Sequence, residues 1–264
     1  MPDNVISLEK LTISNADILK MNPEMKRQYF MFTNMLQDLN LLQKLLLFVK
    51  IEDKNEISKA AFLPPSLFVL RTLIGKIVEI CVFIESKNTG ILSHRNDYPD
   101  ETKKALEKIE LFFNDKTRKE KTKDLFEFIR DKLIFHYDTW LDIPGRISAF
   151  MDSRSQGMDM WLCVTDSGND IFSSTNEIML GMIFQKMVDN GFVGDKKILM
   201  DRLVTLTIDI AGDMREFCVQ YLTGVILKGV TLEPKDKKEI SVPFLSKVNL
   251  SLLVKNDIST KLDR

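Results

Sequence analysis

From residue 66 to about residue 85 the chain is apolar almost all round, with Leu67, Leu70, Leu73, Ile74, Ile77, Val78, Cys81 and Ile84. A helix with one apolar stripe can lie on a surface, but a helix apolar on every side has to be surrounded. The run therefore predicts a central helix and demands that the rest of the chain supply helices to cover it. Arg71 and Lys76 interrupt it, either as functional charges or as side chains that snorkel to the helix surface. The chain is long enough to do this: 264 residues, 44% hydrophobic and 28% charged, bury a sizeable core and do not have the composition of a disordered chain.

The covering helices are visible as periodic patterns. After a polar lead and a short turn of helix near Ala16 to Lys20, Asn22-Pro23 has the form of a cap followed by proline at the first helical position. Phe30, Phe32, Met35, Leu36, Leu39, Leu42, Leu45, Leu46 and Val49 then recur at spacings of three and four, until the charged stretch from Glu52 to Glu56. Pro64-Pro65 is expected to restart the chain as the central helix, and residues 86–97 form a polar connection containing Gly90 and His94. Pro99-Asp100-Glu101 opens a helix to Phe113, ended by Asn114-Asp115-Lys116. Past Pro144-Gly145 the texture changes. Residues 158–165, a turn at 166–169 and residues 170–174 predict a β-hairpin, with Trp161 and Phe172 packing across it. Ser174 or Thr175 then caps a helix through Met187, closed by Asn190-Gly191, and a last long helix covers about Lys197 to Leu227. Beyond Pro234 the tail has the marks of a strand, a short helix or a partner-docking segment alike. The expected class is mainly α: a helical bundle over residues 1–150, with residues 151–264 as a small β-hairpin and additional C-terminal helices packed on the same body.

Several classes of function are disfavoured. The N-terminus lacks the basic segment and apolar run of a signal peptide, and no segment reaches the ~18 uninterrupted apolar residues of a spanning helix, so a cytoplasmic chain without membrane association is expected. Cys81, Cys163 and Cys218 are odd in number, far apart and set among apolar neighbours, which suits reduced core thiols. With 37 basic and 38 acidic side chains, no global field attracts nucleic acid, so any RNA surface must be local or made by assembly. Asp152, Asp159, Asp166 and Asp170 lack the ligand order of a calcium loop, and no phosphate-loop or dinucleotide glycine pattern and no hydrolase signature occurs. No metal and no cofactor is expected.

One stretch carries chemistry. Phe126 to Asp138 reads as an amphipathic helix holding Arg130 and, six residues on, His136, one of two histidines in the chain. At about 100° per residue with Arg130 at zero, Glu127, Asp131, Asp138 and Asp124 fall between about +60° and +120° and form a charged face. Leu133, Ile129, Phe126, Leu125 and Tyr137 fall between about −20° and −140°, with His136 at about −120°. The histidine thus projects from the apolar arc and the arginine stands at its border. A rise of about 9 Å separates them, so a functional pair requires the arginine to fold along the helix or a second copy to complete the site. Just upstream, the basic run that includes Arg118, Lys119, Lys121 and Lys123 is either a solvated helix start or a local surface for phosphates. His94, beside Arg95 with Asp97 and Tyr98, reads as an exposed loop residue.

Arg130-Asp131-Lys132-Leu133-Ile134-Phe135-His136 resembles the signature of the HEPN superfamily: an arginine, a polar residue, variable positions and a histidine. Asp131 occupies the polar slot, Lys132 and Tyr137 are supporting neighbours, and the ending Phe135-His136-Tyr137-Asp138 is similar to that of many small bacterial members. The resemblance covers roughly residues 25 to 150. It implies a homodimer in which both arginines and histidines line one cleft and cut single-stranded RNA without metal, as a toxin or an antiviral defence effector with a protein partner or antitoxin. His136 would handle the proton of the ribose 2′-hydroxyl or the leaving oxygen, and Arg130 would stabilise charge on the phosphate. The competing expectation is a non-catalytic helical module that binds a protein partner, with His136 buried and hydrogen-bonded within one protomer.

Overall fold

A computed structural model describes residues 4–48, 56–114, 119–133, 145, 148, 162–163, 171–228, 230 and 233–242. Among them the chain is mainly helical, in the order β1 (Asn4–Thr12), α1 (Asn15–Lys20), α2 (Pro23–Phe48), α3 (Glu56–Glu85), α4 (Asp100–Phe113), α5 (Thr122–Leu133), β2 (Leu162–Cys163), β3 (Ile171–Phe172), α6 (Ser173–Asp189), α7 (Lys196–Tyr221) and β4 (Glu233–Val242). No helix of the described residues is long and apolar enough to cross a membrane.

The central run behaves as its composition demands. Leu67, Leu70, Leu73, Ile74, Ile77, Val78, Ile80, Cys81 and Ile84 of α3 are buried, and α2, α5, α6 and α7 all pack on that helix. Ile183 and Met187 of α6 and Leu203, Met214 and Phe217 of α7 join the same core. Phe32 of α2 holds three of these helices together: its ring lies 5.7 Å from Phe83, 5.9 Å from Phe217 and 4.6 Å from Tyr221.

Helix ends follow local chemistry. Ser14 caps α1 by accepting from the Asp17 amide, and Asn22 accepts from the Met25 amide at 2.8 Å ahead of Pro23. Asp195, two residues before the expected start at Lys197, caps α7 by accepting from the Ile198 amide at 2.9 Å. The end of α7 widens into a π-turn at Leu222–Ile226, where Gly224 lies against α4. A Cβ there would stand 2.9 Å from the Thr102 hydroxyl and 3.2 Å from Pro99.

Two sequence expectations are corrected. Pro64-Pro65 does not restart the chain: α3 begins at Glu56 and runs through both prolines. Each lacks the N–H for one ladder bond, but Leu63 before them and Leu67 and Leu70 after them are buried, so one apolar stripe continues across the break in the ladder. Phe30 does not join the α2 stripe and is 68% exposed, since it shares a helical face with Arg27, Asn34 and Gln37. The connection from 86 to 97 is polar in composition yet tied to the core. Gln28 donates to the Thr89 carbonyl at 2.9 Å, Tyr221 donates to Gln28 Oε1 at 3.0 Å and Tyr98 donates to the Ile91 carbonyl at 2.6 Å, all buried bonds.

Asn4–Thr12 of the polar lead and Glu233–Val242 at the start of the tail are strands, and the tail beyond Val242 lies outside the described residues. β1 and β4 pair antiparallel from Asn4 opposite Val242 to Thr12 opposite Glu233, with a register shift that leaves Lys235 as the extra residue opposite the Lys10/Leu11 step. Separately, Leu162 pairs with Phe172 and Cys163 with Ile171. The turn between them, Trp161 and the acidic residues 152, 159, 166 and 170 lie outside the described residues.

Candidate functional site

Helix α5 has the charge order that its dipole favours, with Asp124 in the first turn and Arg130 and Lys132 in the last. Leu125, Phe126, Ile129 and Leu133, all predicted on one arc, are fully buried against the core, while Asp124 is exposed and Glu127 and Asp131 are half-buried. Arg130 stands at the border between the two faces. Its side chain is 24% exposed, and its Nε donates to Asp131 Oδ1 at 2.6 Å. That hydrogen bond, reinforced by the nearby Glu127 and Glu79, raises Arg130 above the ordinary arginine value, so the guanidinium is permanently charged.

α3 runs antiparallel beneath α5 and touches it at both ends. At the start of α5, Lys123 reaches Glu85 at 2.9 Å and lies 4.0 Å from Glu127. At its finish, Arg71 Nη1 donates to the Leu133 carbonyl at 2.9 Å and to Met179 Sδ of α6 at 3.0 Å, while Arg71 Nε donates to the Leu67 carbonyl at 3.2 Å. The guanidinium therefore ties three helices together. Lys76, the other interruption of the apolar run, bridges Asp38 of α2 at 3.1 Å and Glu79 at 2.8 Å.

These contacts give the Arg130 edge its electrostatic character. Lys76, Lys123 and Arg130 are interleaved with five carboxylates, Asp38, Glu79, Glu85, Glu127 and Asp131, an excess of two negative charges. A phosphate approaching Arg130 would have to displace Asp131 and tolerate Glu127 and Glu79.

α6 lies along the other side of α5. Lys186 reaches Asp124 at 2.7 Å, and at the α6–α7 turn the Lys121 amide donates to the Asn190 carbonyl at 3.0 Å while Asn190 Nδ2 donates to the Lys121 carbonyl at 2.9 Å. Gly191 follows in a left-handed conformation with φ of 88°, and a Cβ there would come 2.5 Å from the Lys119 carbonyl oxygen. The turn is thus pressed directly onto the backbone of the basic run. Lys119 and Lys121 are exposed, Lys123 is held by Glu85, and Glu120 between them pairs with Arg202 at 3.0 Å.

Of the residues singled out in the sequence, Arg130, Asp131, Lys132, Lys119, Lys121 and Lys123 are described, whereas His136, Tyr137 and Arg118 lie outside the described residues. The basic residues stand at the start of α5 and Arg130 in its last turn, so the two groups occupy opposite ends of that helix. His94 is largely exposed, 3.6 Å from Asp97. Sequence reasoning named Arg71 and Lys76 as interruptions but not their partners, of which Leu133, Met179 and Asp38 come from segments distant in the chain. A shallow depression lined by Arg95, Asn96, Lys103, Leu106, Glu107 and Glu110 does not include α5. Among the described residues no group of His, Cys, Asp and Glu side chains is placed to hold a metal ion. Burial pushes the Cys218 thiol up to about 12 and raises Cys81 further, so neither is a ready nucleophile.

Comparison with known proteins returned no match among family models, curated proteins or solved structures.

Proposed function

We propose that the chain is a metal-independent endoribonuclease of the HEPN type, acting on single-stranded RNA through Arg130 and His136. Its helical body would be a HEPN-like bundle with residues 158–174 as a β-hairpin insertion. The observation that supports this most is the position of Arg130: a permanent cation in the last turn of an amphipathic helix, at the border of the buried arc and reachable from solvent. A guanidinium there can fork onto phosphate oxygens, and an imidazole titrating near neutral pH can move the 2′-hydroxyl proton. Asp131 then holds Arg130 until a phosphate replaces it. In a homodimer, the cleft would be built from the Arg130–Asp131 edge and residues beyond Leu133, because the arc over 125–133 is covered by α3 of the same chain.

That burial and the negative excess along the edge favour a second reading, a non-catalytic helical module that binds a protein partner. The deciding experiment incubates wild type, Arg130→Ala and His136→Ala with total RNA in EDTA and maps the ends. Cleavage by the wild type alone, leaving 2′,3′-cyclic phosphates, supports the nuclease. Equal activity in all three, or none in the wild type, removes it in favour of the binding module.

A further inference from the structure

We propose that the turn between α6 and α7 is a docking tip for the surface of an anionic lipid bilayer, with Val193 and Ile198 as its apolar contacts and Lys119, Lys121, Lys196 and Lys197 as the cations around them. This surface lies outside the nuclease reading and does not depend on it.

The tip is held rigidly. α6 closes with the Gly191 amide donating to the Val188 carbonyl at 2.9 Å and the Phe192 amide donating to the Met187 carbonyl at 3.0 Å, with Gly191 left-handed. Phe192 is buried in the core, which pins the turn. Asp195 already caps α7, so Val193 and Gly194 alone connect the two locked ends. Val193 is 82% exposed, the most exposed large apolar side chain among the described residues. Gly194 has a φ of 151°, and a Cβ there would stand 2.5 Å from Ile198 Cγ2, so glycine is what lets Ile198 fold back beside the tip. Ile198 is itself 54% exposed.

A lone exposed valine is ordinary on any protein surface. Its surroundings set this one apart. The Lys121 amide and the Lys119 carbonyl press on Asn190 and Gly191, which brings the start of α5 to a turn distant in the chain. Lys119, Lys121, Lys196 and Lys197 are all exposed and form no ion pair among the described residues. The nearby carboxylates are Glu120, Asp189, Asp195 and Asp201, of which three are engaged: Glu120 with Arg202, Asp189 with Gln185 and Asp195 with the Ile198 amide. The tip is therefore cationic, where the Arg130 edge is anionic.

This chemistry selects the partner. Lysine ammoniums are drawn to anionic headgroups, and aliphatic side chains enter the acyl boundary with no need for a spanning helix. Valine and isoleucine have no ring on which a base could stack, so the apolar part of the tip does not suit single-stranded nucleic acid. A convex turn with two aliphatic side chains also falls far short of the about 20–30 residues a side of a specific protein interface, whereas a bilayer requires no complementary shape.

The test floats the full chain with vesicles of equal parts phosphatidylcholine and phosphatidylserine, and with phosphatidylcholine vesicles alone. Binding to the anionic vesicles only, diminishing as salt rises, is expected. Val193→Ser should weaken it about 10-fold, and the double variant Lys196→Gln/Lys197→Gln about 30-fold. Helicity should be unchanged in each, since these side chains are exposed. Phe30→Ser, at an exposed apolar residue of α2, should bind as wild type does. Absence of wild-type binding to the anionic vesicles overturns the proposal. So does binding that Phe30→Ser weakens as much as Val193→Ser. Binding that the lysine variant loses and Val193→Ser fully retains is charge attraction alone, and overturns it as well. If a labelled single-stranded RNA binds in place of vesicles and the lysine variant loses it, the face belongs to nucleic acid and the bilayer assignment falls.

Discussion

The two ends of α5 are held in opposite ways. At its start the contacts are many and include backbone on both sides: the reciprocal Lys121–Asn190 bonds, the close approach of Gly191 to the Lys119 carbonyl, and the Lys123–Glu85 and Asp124–Lys186 ion pairs. At its finish, among the described residues, the side chain of Arg71 joins α3, α5 and α6. A joint made from backbone changes only when the fold changes, whereas a joint made by one side chain can be altered alone. The start of α5 is therefore its structural anchor, and the finish, next to Arg130, is where a single substitution can shift the candidate site without dismantling the bundle.

The comparison can be broken at its strongest point. Gly191→Ala combines a left-handed backbone with a Cβ 2.5 Å from a carbonyl oxygen and should cost roughly 2–4 kcal/mol in urea unfolding. A loss below about 0.5 kcal/mol would mean that the turn is not pressed onto the basic run. Asn190→Ala removes one hydrogen bond to the Lys121 carbonyl, which still accepts from the Leu125 amide, and truncates a side chain that is 4% exposed, for about 1–2 kcal/mol. Loosening this end should also expose Cys81, which sits on α3 near Lys123 and Glu127 of α5. Alkylation of Cys81, mapped by mass spectrometry, is expected to be slow in wild type and faster in Asn190→Ala. At the other end, Arg71→Ala should cost about 1–2 kcal/mol, with faster amide exchange at residues 130–133 and unchanged exchange at 122–126. Uniform acceleration along α5 would erase the distinction between its ends. Lys123→Gln is the smallest effect, within about 1 kcal/mol and diminishing with salt, since both partners of its ion pair reach solvent.

What the sequence made legible was local. The wheel placed Leu125, Phe126, Ile129 and Leu133 on one arc and Arg130 at its border because helical periodicity needs only neighbours a few residues away. The all-round apolar run identified α3 as central for the same reason, and Pro99 to Phe113 delimited α4 almost to the residue. What escaped depended on distant partners. Residue 4 pairs with residue 242, and nothing in either segment names the other. The Arg71–Leu133 bond joins positions 62 apart, so an arginine in an apolar run could be flagged but not assigned. The wheel also predicted an apolar seam without stating what covers it. Over residues 125–133 the cover is α3 of the same chain, which moves any contact between copies toward the Arg130 edge.

The β1–β4 ribbon gives the molecule a mechanical property. Among the described residues Asn4 lies opposite Val242 at one end of an antiparallel pair whose hydrogen bonds run across the strands, and Thr12 opposite Glu233 at the other. A pull applied to Asn4 and Val242 loads the bonds one at a time, as in a zipper, instead of shearing them together. The ribbon would open pair by pair from Asn4 toward Thr12.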